Sequence, residues 1–162
     1  MARPGTPKAR SRSSASEAAE RAWEQAGRLL AVRDRSEQEL RSRLTAAGAS
    51  PAAITATVRR LRRLRYLDDH RFALGTAEQA ARRGFGSEYL RDRLEQHGVA
   101  DDLIEAAIQA THGDETALAR QALGRRFAVA PRMPAERARA ARFLSRRGFP
   151  EAVVFAILGE AC

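Results

Sequence analysis

The chain of 162 residues carries a net charge of +9, from 28 arginines and a single lysine set against 20 acidic side chains. No apolar stretch approaches the roughly 20 residues that a membrane-spanning helix needs, and the lone cysteine, Cys162, excludes an internal disulfide and favours a reducing compartment. Only 6% of the residues are aromatic, which favours thin layers of helices over one thick core.

The chain begins with a basic segment that is predicted to be a disordered arm over residues 1–19. Its first residues, MARPGTPKARSRSSAS, contain no acidic side chain and no apolar region of the kind found in a secretory signal. A transit peptide is the alternative interpretation of this composition.

Beyond the arm, the sequence repeats with a period of fifty residues. The segment SEQELRSRLTAAGASPAAITATV, which begins at Ser36, aligns with SEYLRDRLEQHGVADDLIEAAI, which begins at Ser87. In each repeat a glycine is followed by an apolar residue, at Gly48, Gly98 and Gly148. Leucines spaced four apart lie on one face of a helix, and glycine is a common left-handed end to a helix. The pattern predicts an all-α protein of three tandem three-helix repeats.

The predicted repeats are residues 20–68, 69–113 and 114–162, and their first helices span 20–33, 69–83 and 114–127. Ser36 and Ser87 are predicted to cap the second helices, and Ser50-Pro51 suits the start of a third helix. An extra loop, AVAPRMPA (128–135), precedes the second helix of the third repeat.

The segments ARRGFG (81–86) and SRRGFP (145–150) look like a repeated functional motif. They fall at different points of the repeat, one before a second helix and one before a third helix. The favoured interpretation is therefore the same helix-ending chemistry used twice.

Aromatic residues are predicted to be core where small apolar residues surround them at helical spacing, which applies to Trp23, Phe72, Phe143 and Phe155. For Tyr66, Phe85 and Tyr89, packing between repeats is favoured over stacking on a nucleic-acid base.

Charge is segregated along the chain into basic, acidic and basic parts. Residues 41–67 contain seven arginines and no acid, residues 68–116 have a net charge of −6, and residues 117–162 have a net charge of +6. Seven positive charges without a nearby acid repel one another unless a partner offsets them. The alternative is that these charges form ordinary solvated helix faces.

The segment VRRLRRLRYLDDHRFA (58–73) places arginines opposite an apolar face. At 100° per residue, Ile54, Val58 and Leu61 line one side of the helix, and the arginines at positions 59, 60, 62 and 63 are predicted to be exposed and unpaired. Candidate contacts for phosphate or acidic protein surface are Arg41, Arg43, Arg59, Arg60, Arg62, Arg63, Arg146 and Arg147. Candidate contacts for basic surface are Asp68, Asp69, Asp101 and Asp102, for which helix capping is the alternative role.

The sequence contains no recognised catalytic motif. His70, His97 and His112 lack cysteine partners and metal-ligand spacing, and no phosphate loop or nucleophile elbow is present. A non-enzymatic protein without a metal or cofactor is expected.

Four segments together resemble the RecX family of bacterial regulators of the recombinase RecA. They are RSEQELRSRL (35–44), YLDDHRFA (66–73), GFGSEYLRDRLEQHGV (84–99) and FLSRRGFPEAVVFAIL (143–158). The resemblance implies an elongated, curved, cytoplasmic molecule that binds the RecA filament on single-stranded DNA. It also implies inhibition of the ATPase, strand-exchange and coprotease activities of RecA, and hence a role in recombination, DNA repair and the SOS response. A monomer is expected.

Two other functions are compatible with the residues. One is a stand-alone protein that binds single-stranded or double-stranded DNA, because a second and third helix joined by a glycine turn could form a helix-turn-helix. Against it, the segment DDLIEAAIQA in the second repeat is acidic and would be repelled by a DNA groove. The other is a helical-repeat adaptor for a different partner.

Overall fold

The computed structural model describes residues 7–127 and 129–159, with side chains described from residue 16 onward. Over these residues the chain forms nine α-helices and no strand, which confirms the all-α prediction. The helices are α1 (Pro7–Val32), α2 (Glu37–Ala46), α3 (Pro51–Arg63), α4 (Asp69–Arg82), α5 (Ser87–Gln96), α6 (Asp101–His112), α7 (Glu115–Arg126), α8 (Pro134–Arg146) and α9 (Glu151–Leu158). Taken in threes, they correspond to the three predicted repeats.

The chain divides into two compact units, one ending at Asp69 and the other beginning at His70. The first unit holds the first repeat, α1–α3. The second unit holds the second repeat, α4–α6, and the third repeat, α7–α9. No helix among the described residues has both the length and the apolar character to cross a membrane.

The first helix begins earlier than the sequence predicts, at Pro7 and not near residue 20. Proline suits the first turn of a helix because the backbone N–H that it lacks would have no partner there. Neither glycine nor proline occurs again before Gly27, so nothing in the segment interrupts the helix. The arm predicted over 1–19 therefore overlaps α1, and its first six residues lie outside the described part of the chain.

Local signals place most helix ends correctly. The Ser36 hydroxyl accepts a hydrogen bond from the Glu39 amide and caps α2, and Ser50 caps α3 in the same way. Gly48, Gly98 and Gly148 all have positive φ, between +66° and +82°, and each ends the second helix of its repeat as predicted.

The predicted cap at Ser87 is wrong, because Gly86 is the N-cap of α5 and Ser87 is its first residue. The Ser87 amide instead donates to a carboxylate oxygen of Glu115, at 2.6 Å, and the Ser87 hydroxyl donates to the other oxygen. In the first unit, the amide of Glu37 at the start of α2 donates in the same manner to Asp69 Oδ1, at 2.8 Å. A carboxylate from the start of the next repeat thus caps the second helix of the first and second repeats.

Each repeat has its own apolar core. The largest buried side chains come from the paired leucines and from the residue after the glycine turn, among them Leu40, Leu44, Leu90, Leu94, Leu144 and Phe149. Phe72 is buried as predicted, and Trp23 and Phe143 lie half-buried at the edges of their cores. The core prediction for Phe155 is wrong, since its side chain is 55% exposed on α9.

The segments ARRGFG (81–86) and SRRGFP (145–150), called the RRGF segments from here on, lie against each other in the second unit, with their backbones in contact. The Gly86 amide donates to the Arg147 carbonyl at 2.8 Å, and the Glu88 amide donates to the Gly148 carbonyl at 3.0 Å. Gly84 and Gly148 share a φ of +72°, which agrees with the interpretation of one helix-ending chemistry used twice. The contact between the two copies adds a second role: the segments join the second repeat to the third.

Aromatic and arginine side chains surround this junction. The Arg147 guanidinium donates to the Arg83 carbonyl at 2.6 Å and lies 4.8 Å from the centroid of the Phe85 ring. Phe85 stacks on Tyr89 with ring centroids 4.1 Å apart. Packing between repeats, predicted for Phe85 and Tyr89, is therefore confirmed.

The close backbone approach at the junction predicts the effect of Gly86→Ala. An added Cβ would overlap the Gly148 carbonyl, so the two backbones must separate and their hydrogen bonds must lengthen. We expect the free energy of unfolding to fall by about 2–4 kcal/mol, measured by urea unfolding followed by circular dichroism.

Gly75→Ala is the matched control, because Gly75 lies in α4 and a Cβ there would meet no atom within 4 Å. This change should raise stability by up to about 1 kcal/mol through helix propensity. Equal stability of the Gly86→Ala variant and the unchanged protein would show that the close approach does not constrain the fold.

Candidate functional site

Four arginines of α3 are predicted to be unpaired, and two of them have no ion-pair partner among the described side chains. Arg59 and Arg63 are exposed and make no ion pair with any described side chain, and they lie one turn apart on the helix. Their guanidinium groups can therefore offer paired N–H donors to a phosphate or carboxylate of a partner.

The prediction is wrong for Arg60, whose guanidinium contacts two residues of α1. It lies 3.8 Å from the centroid of the Trp23 ring, and its Nη1 lies 3.6 Å from Glu20 Oε1. Because Arg60 is still 45% exposed, part of its donor set faces solvent. Its main role is to hold α3 against α1.

Arg62 is also paired, with a residue of α2. Its Nε lies 3.3 Å from Glu37 Oε2, and the other oxygen of Glu37 accepts from Arg41 Nε at 2.8 Å. Arg43 lies 3.7 Å from Glu39. The acids that neutralise these arginines precede residue 41, so a charge count over 41–67 alone could not include them.

Glu39 is the carboxylate on which several arginines of the first unit converge. Arg33 and Arg35 both donate to its Oε1, and the buried Arg35 also donates through Nε to the Leu29 carbonyl at 3.1 Å. Burial raises the pKa of Glu39, but hydrogen bonds and charge from Arg33 and Arg35 outweigh burial, so the pKa lies below its usual range. The cluster fixes the connection between α1 and α2.

In the third repeat, the two candidate arginines differ. Arg146 is exposed on α8, whereas Arg147 is half-buried and engaged in the RRGF junction. Sequence reasoning missed two further exposed arginines, Arg139 and Arg142, that share a face of α8 with Arg146. Their spacing of three and then four residues was the signal that would have found them.

The acidic candidates also separate into two kinds. Asp69 serves as the cap of α2 and is half-buried; desolvation by burial is the main cause that raises its pKa. Asp68 is half-buried beside it. Asp101 and Asp102 are exposed in the first turn of α6, where the N-cap Ala100 offers no side-chain hydrogen bond. They do not cap α6, and their carboxylates favour the positive end of the helix dipole.

Within residues 7–127 and 129–159, no group of three or more histidine, cysteine, aspartate or glutamate side chains is arranged to hold a metal ion. Two histidines have structural contacts. The buried His112 has Nδ1 2.7 Å from the Thr111 hydroxyl and Nε2 3.1 Å from the Phe85 carbonyl, and the His97 ring meets Phe72 edge-on at 5.3 Å. These contacts stabilise the second repeat.

Comparison with known families matches the first two repeats. Residues 22–61 match the first three-helix domain of RecX, and residues 68–108 match its second three-helix domain. Regulatory protein RecX of Xanthomonas axonopodis pv. citri (strain 306) is 39% identical over 122 residues, which is 75% of each chain. Regulatory protein RecX of Stenotrophomonas maltophilia (strain R551-3) is 38% identical over 122 residues, which is again 75% of each chain.

Solved structures show the same fold. The crystal structure of RecX from Lactobacillus salivarius superposes with a TM-score of 0.71 at 16% identity, over 90% of this chain and 97% of that one. A crystal structure of regulatory protein RecX gives a TM-score of 0.80 at 20% identity, over 97% of this chain and 81% of that one.

The arginine cluster around Glu39 predicts how stability depends on pH. Because its folded pKa is lowered, the stabilising contribution of Glu39 is complete above its usual value of 4.5 and is lost as pH falls through the folded pKa. Glu39→Gln should lower the free energy of unfolding by about 2 kcal/mol at neutral pH, since it leaves the buried Arg35 without its carboxylate. The difference should shrink as the pH falls below 4.5 and through the folded pKa, measured by urea unfolding at each pH.

Glu24→Gln removes the same charge from an exposed position of α1 and should change stability by less than about 0.5 kcal/mol. Glu39→Gln and the unchanged protein could instead differ in free energy of unfolding by the same amount from neutral to acidic pH. That result would contradict the assigned role of the carboxylate.

Proposed function

This chain belongs to the RecX family of regulatory proteins, and we propose that it binds the RecA filament on single-stranded DNA and inhibits RecA. The activities inhibited would be the ATPase, strand exchange and coprotease activities. Family membership across the first two repeats carries the proposal, and a RecA partner would place the protein in the cytoplasm.

The exposed arginines of α3 are the proposed contact in the first unit. Arg59 and Arg63 offer two guanidinium groups on one helix face, without an ion-pair partner among the described residues. Arg60 is partly exposed on the same helix, although its guanidinium lies over the Trp23 ring. Guanidinium binds phosphate and carboxylate with paired hydrogen bonds, so this face suits either DNA backbone or acidic protein surface.

In the second unit, exposed charges of both signs are available to a partner. Asp101 and Asp102 lie in the exposed first turn of α6, and Arg146 lies on the exposed face of α8. A composite of protein and DNA presents both basic and phosphate surface, and complementary charge of both signs favours such a partner over bare DNA.

A stand-alone DNA-binding protein is the second candidate, favoured by the net charge of +9. The helix-turn-helix version of it is disfavoured, because α6 begins with Asp101 and Asp102 and continues with Glu105, which would face phosphate in a groove. Binding through the basic faces alone would be mainly electrostatic. A helical-repeat adaptor for a different partner is the third candidate.

The first test is the single-stranded-DNA-dependent ATPase of the cognate RecA, measured at fixed salt and excess DNA while this protein is titrated. We expect the rate to fall at substoichiometric protein. An unchanged rate at equimolar protein would exclude the proposed inhibition and leave the adaptor function.

The Arg59→Ala/Arg63→Ala double variant tests the contact on α3. It should raise the concentration needed for half-maximal inhibition by about tenfold, because two unpaired guanidinium contacts are lost. Stability should change by less than about 0.5 kcal/mol, since neither side chain has an ion-pair partner among the described residues.

The matched control is Arg21→Ala/Arg28→Ala, which removes the same charge from exposed positions of α1. Its inhibition should equal that of the unchanged protein. Equal weakening by both double variants would show that net charge, and not the α3 face, controls inhibition.

Salt dependence separates the RecA proposal from stand-alone DNA binding. If about six phosphates of a single strand are contacted directly, doubling the salt should reduce affinity for DNA on the order of 20-fold. We expect a much weaker salt effect on binding to the RecA filament. The full electrostatic slope in the presence of RecA would favour the DNA-binding candidate.

A further inference from the structure

An apolar groove of about 410 Å³ lies on the third repeat between α7, α9 and loop residues 129–131. Its apolar walls are Leu123, Phe127, Val129, Pro131, Ile157 and Leu158. The volume falls within the range of about 300–1,000 Å³ that is typical of binding sites. The groove lies outside residues 22–61 and 68–108, which match the RecX domains.

The loop between α7 and α8 leaves an apolar side chain uncovered at this groove. Val129, in the wall, is 73% exposed. Glu136 accepts hydrogen bonds from the Arg132 and Met133 amides, which holds the loop in place at the start of α8. An exposed apolar side chain in the wall of an apolar groove, on a loop that is held in place, is typical of a contact surface.

The rim of the groove is positively charged. Arg120 is exposed and belongs to the lining, and the Arg126 guanidinium lies 5.5 Å from the centroid of the Phe127 ring. No acidic side chain is among the lining residues. A third arginine, Arg137, donates to the carbonyl of Leu158, one of the lining residues, so we do not count it among the rim charges.

We propose that this groove binds a peptide segment of a partner protein in which an aliphatic or aromatic side chain is flanked by carboxylates. The apolar side chain would fill the groove, and the carboxylates would pair with Arg120 and Arg126. The assignment does not depend on RecA being the partner.

Charge and lining together favour such a peptide over two other occupants. A second copy of this chain would bring its own arginine-rich third repeat, of net charge +6 over residues 117–162, towards the same positive rim. A nucleic-acid base would need an open aromatic face, but the Phe127 ring meets Phe143 edge-on at 5.8 Å and also contacts Arg126.

The test is fluorescence anisotropy with the fluorescein-labelled peptide DEDLFDED and with a second peptide, DEDSSDED, of the same charge. The full chain should bind the first peptide, and the second at least about tenfold more weakly, because only the first fills the groove. Val129→Asp and Arg120→Glu should each weaken binding of the first peptide by about tenfold. Both positions are exposed, so circular dichroism should show both variants folded.

Arg93→Glu is the matched control, because it reverses the charge of an exposed arginine on α5. Its affinity for the first peptide should stay within about twofold of the unchanged protein. Undetectable binding of the first peptide, equal binding of both peptides, or an Arg93→Glu effect as large as that of Arg120→Glu would overturn the proposal. It would also be overturned if Val129→Asp weakened binding of labelled oligothymidylate and left peptide binding unchanged.

Discussion

The arrangement of the helices depends on carboxylates that cap a helix in the preceding repeat. Asp69 accepts from the Glu37 amide, and Glu115 accepts from the Ser87 amide. An unpaired amide at a helix start is costly when it is buried, so each contact stabilises the start of the second helix of its repeat. In the first unit, Glu37 has a second role, because its side chain pairs with Arg41 and Arg62. Glu37 of α2 thereby engages Arg62 of α3, while Glu20 of α1 engages Arg60.

The fold could be predicted from sequence because helix ends are encoded locally. Ser36, Pro51 and the glycine at position 148 act on backbone groups within a few residues of themselves, and a fifty-residue repeat supplies each signal more than once. The candidate site was harder to predict because ion pairs form between helices. Arg60 and Glu20 are forty residues apart in the chain, and no charge count along the sequence can bring them together.

Many arginines of this chain stabilise the fold in a way that lysine could not reproduce. In the part of the chain that the structure describes, four of them donate to backbone carbonyls of other segments: Arg35, Arg125, Arg137 and Arg147. Their acceptors lie in the last turn of a helix or just after it, where carbonyl groups lack an intrahelical partner. The planar fork of guanidinium can serve such a carbonyl and still contact a ring or a carboxylate. The surfaces proposed for binding are defined by other arginines, among them Arg59, Arg63 and Arg120, which are exposed.

The junction of the two RRGF segments has a consequence for how such a protein can change in length. Repeat proteins usually gain or lose units because each unit touches only its sequence neighbours through similar surfaces. Here the turn after α4 is hydrogen-bonded to the turn after α8. A side chain at Gly86 would displace the backbone of Gly148, and a side chain at Gly148 would displace the backbone of Tyr89. A unit inserted between the second and third repeats would separate these turns. Duplication at that boundary is therefore incompatible with the fold.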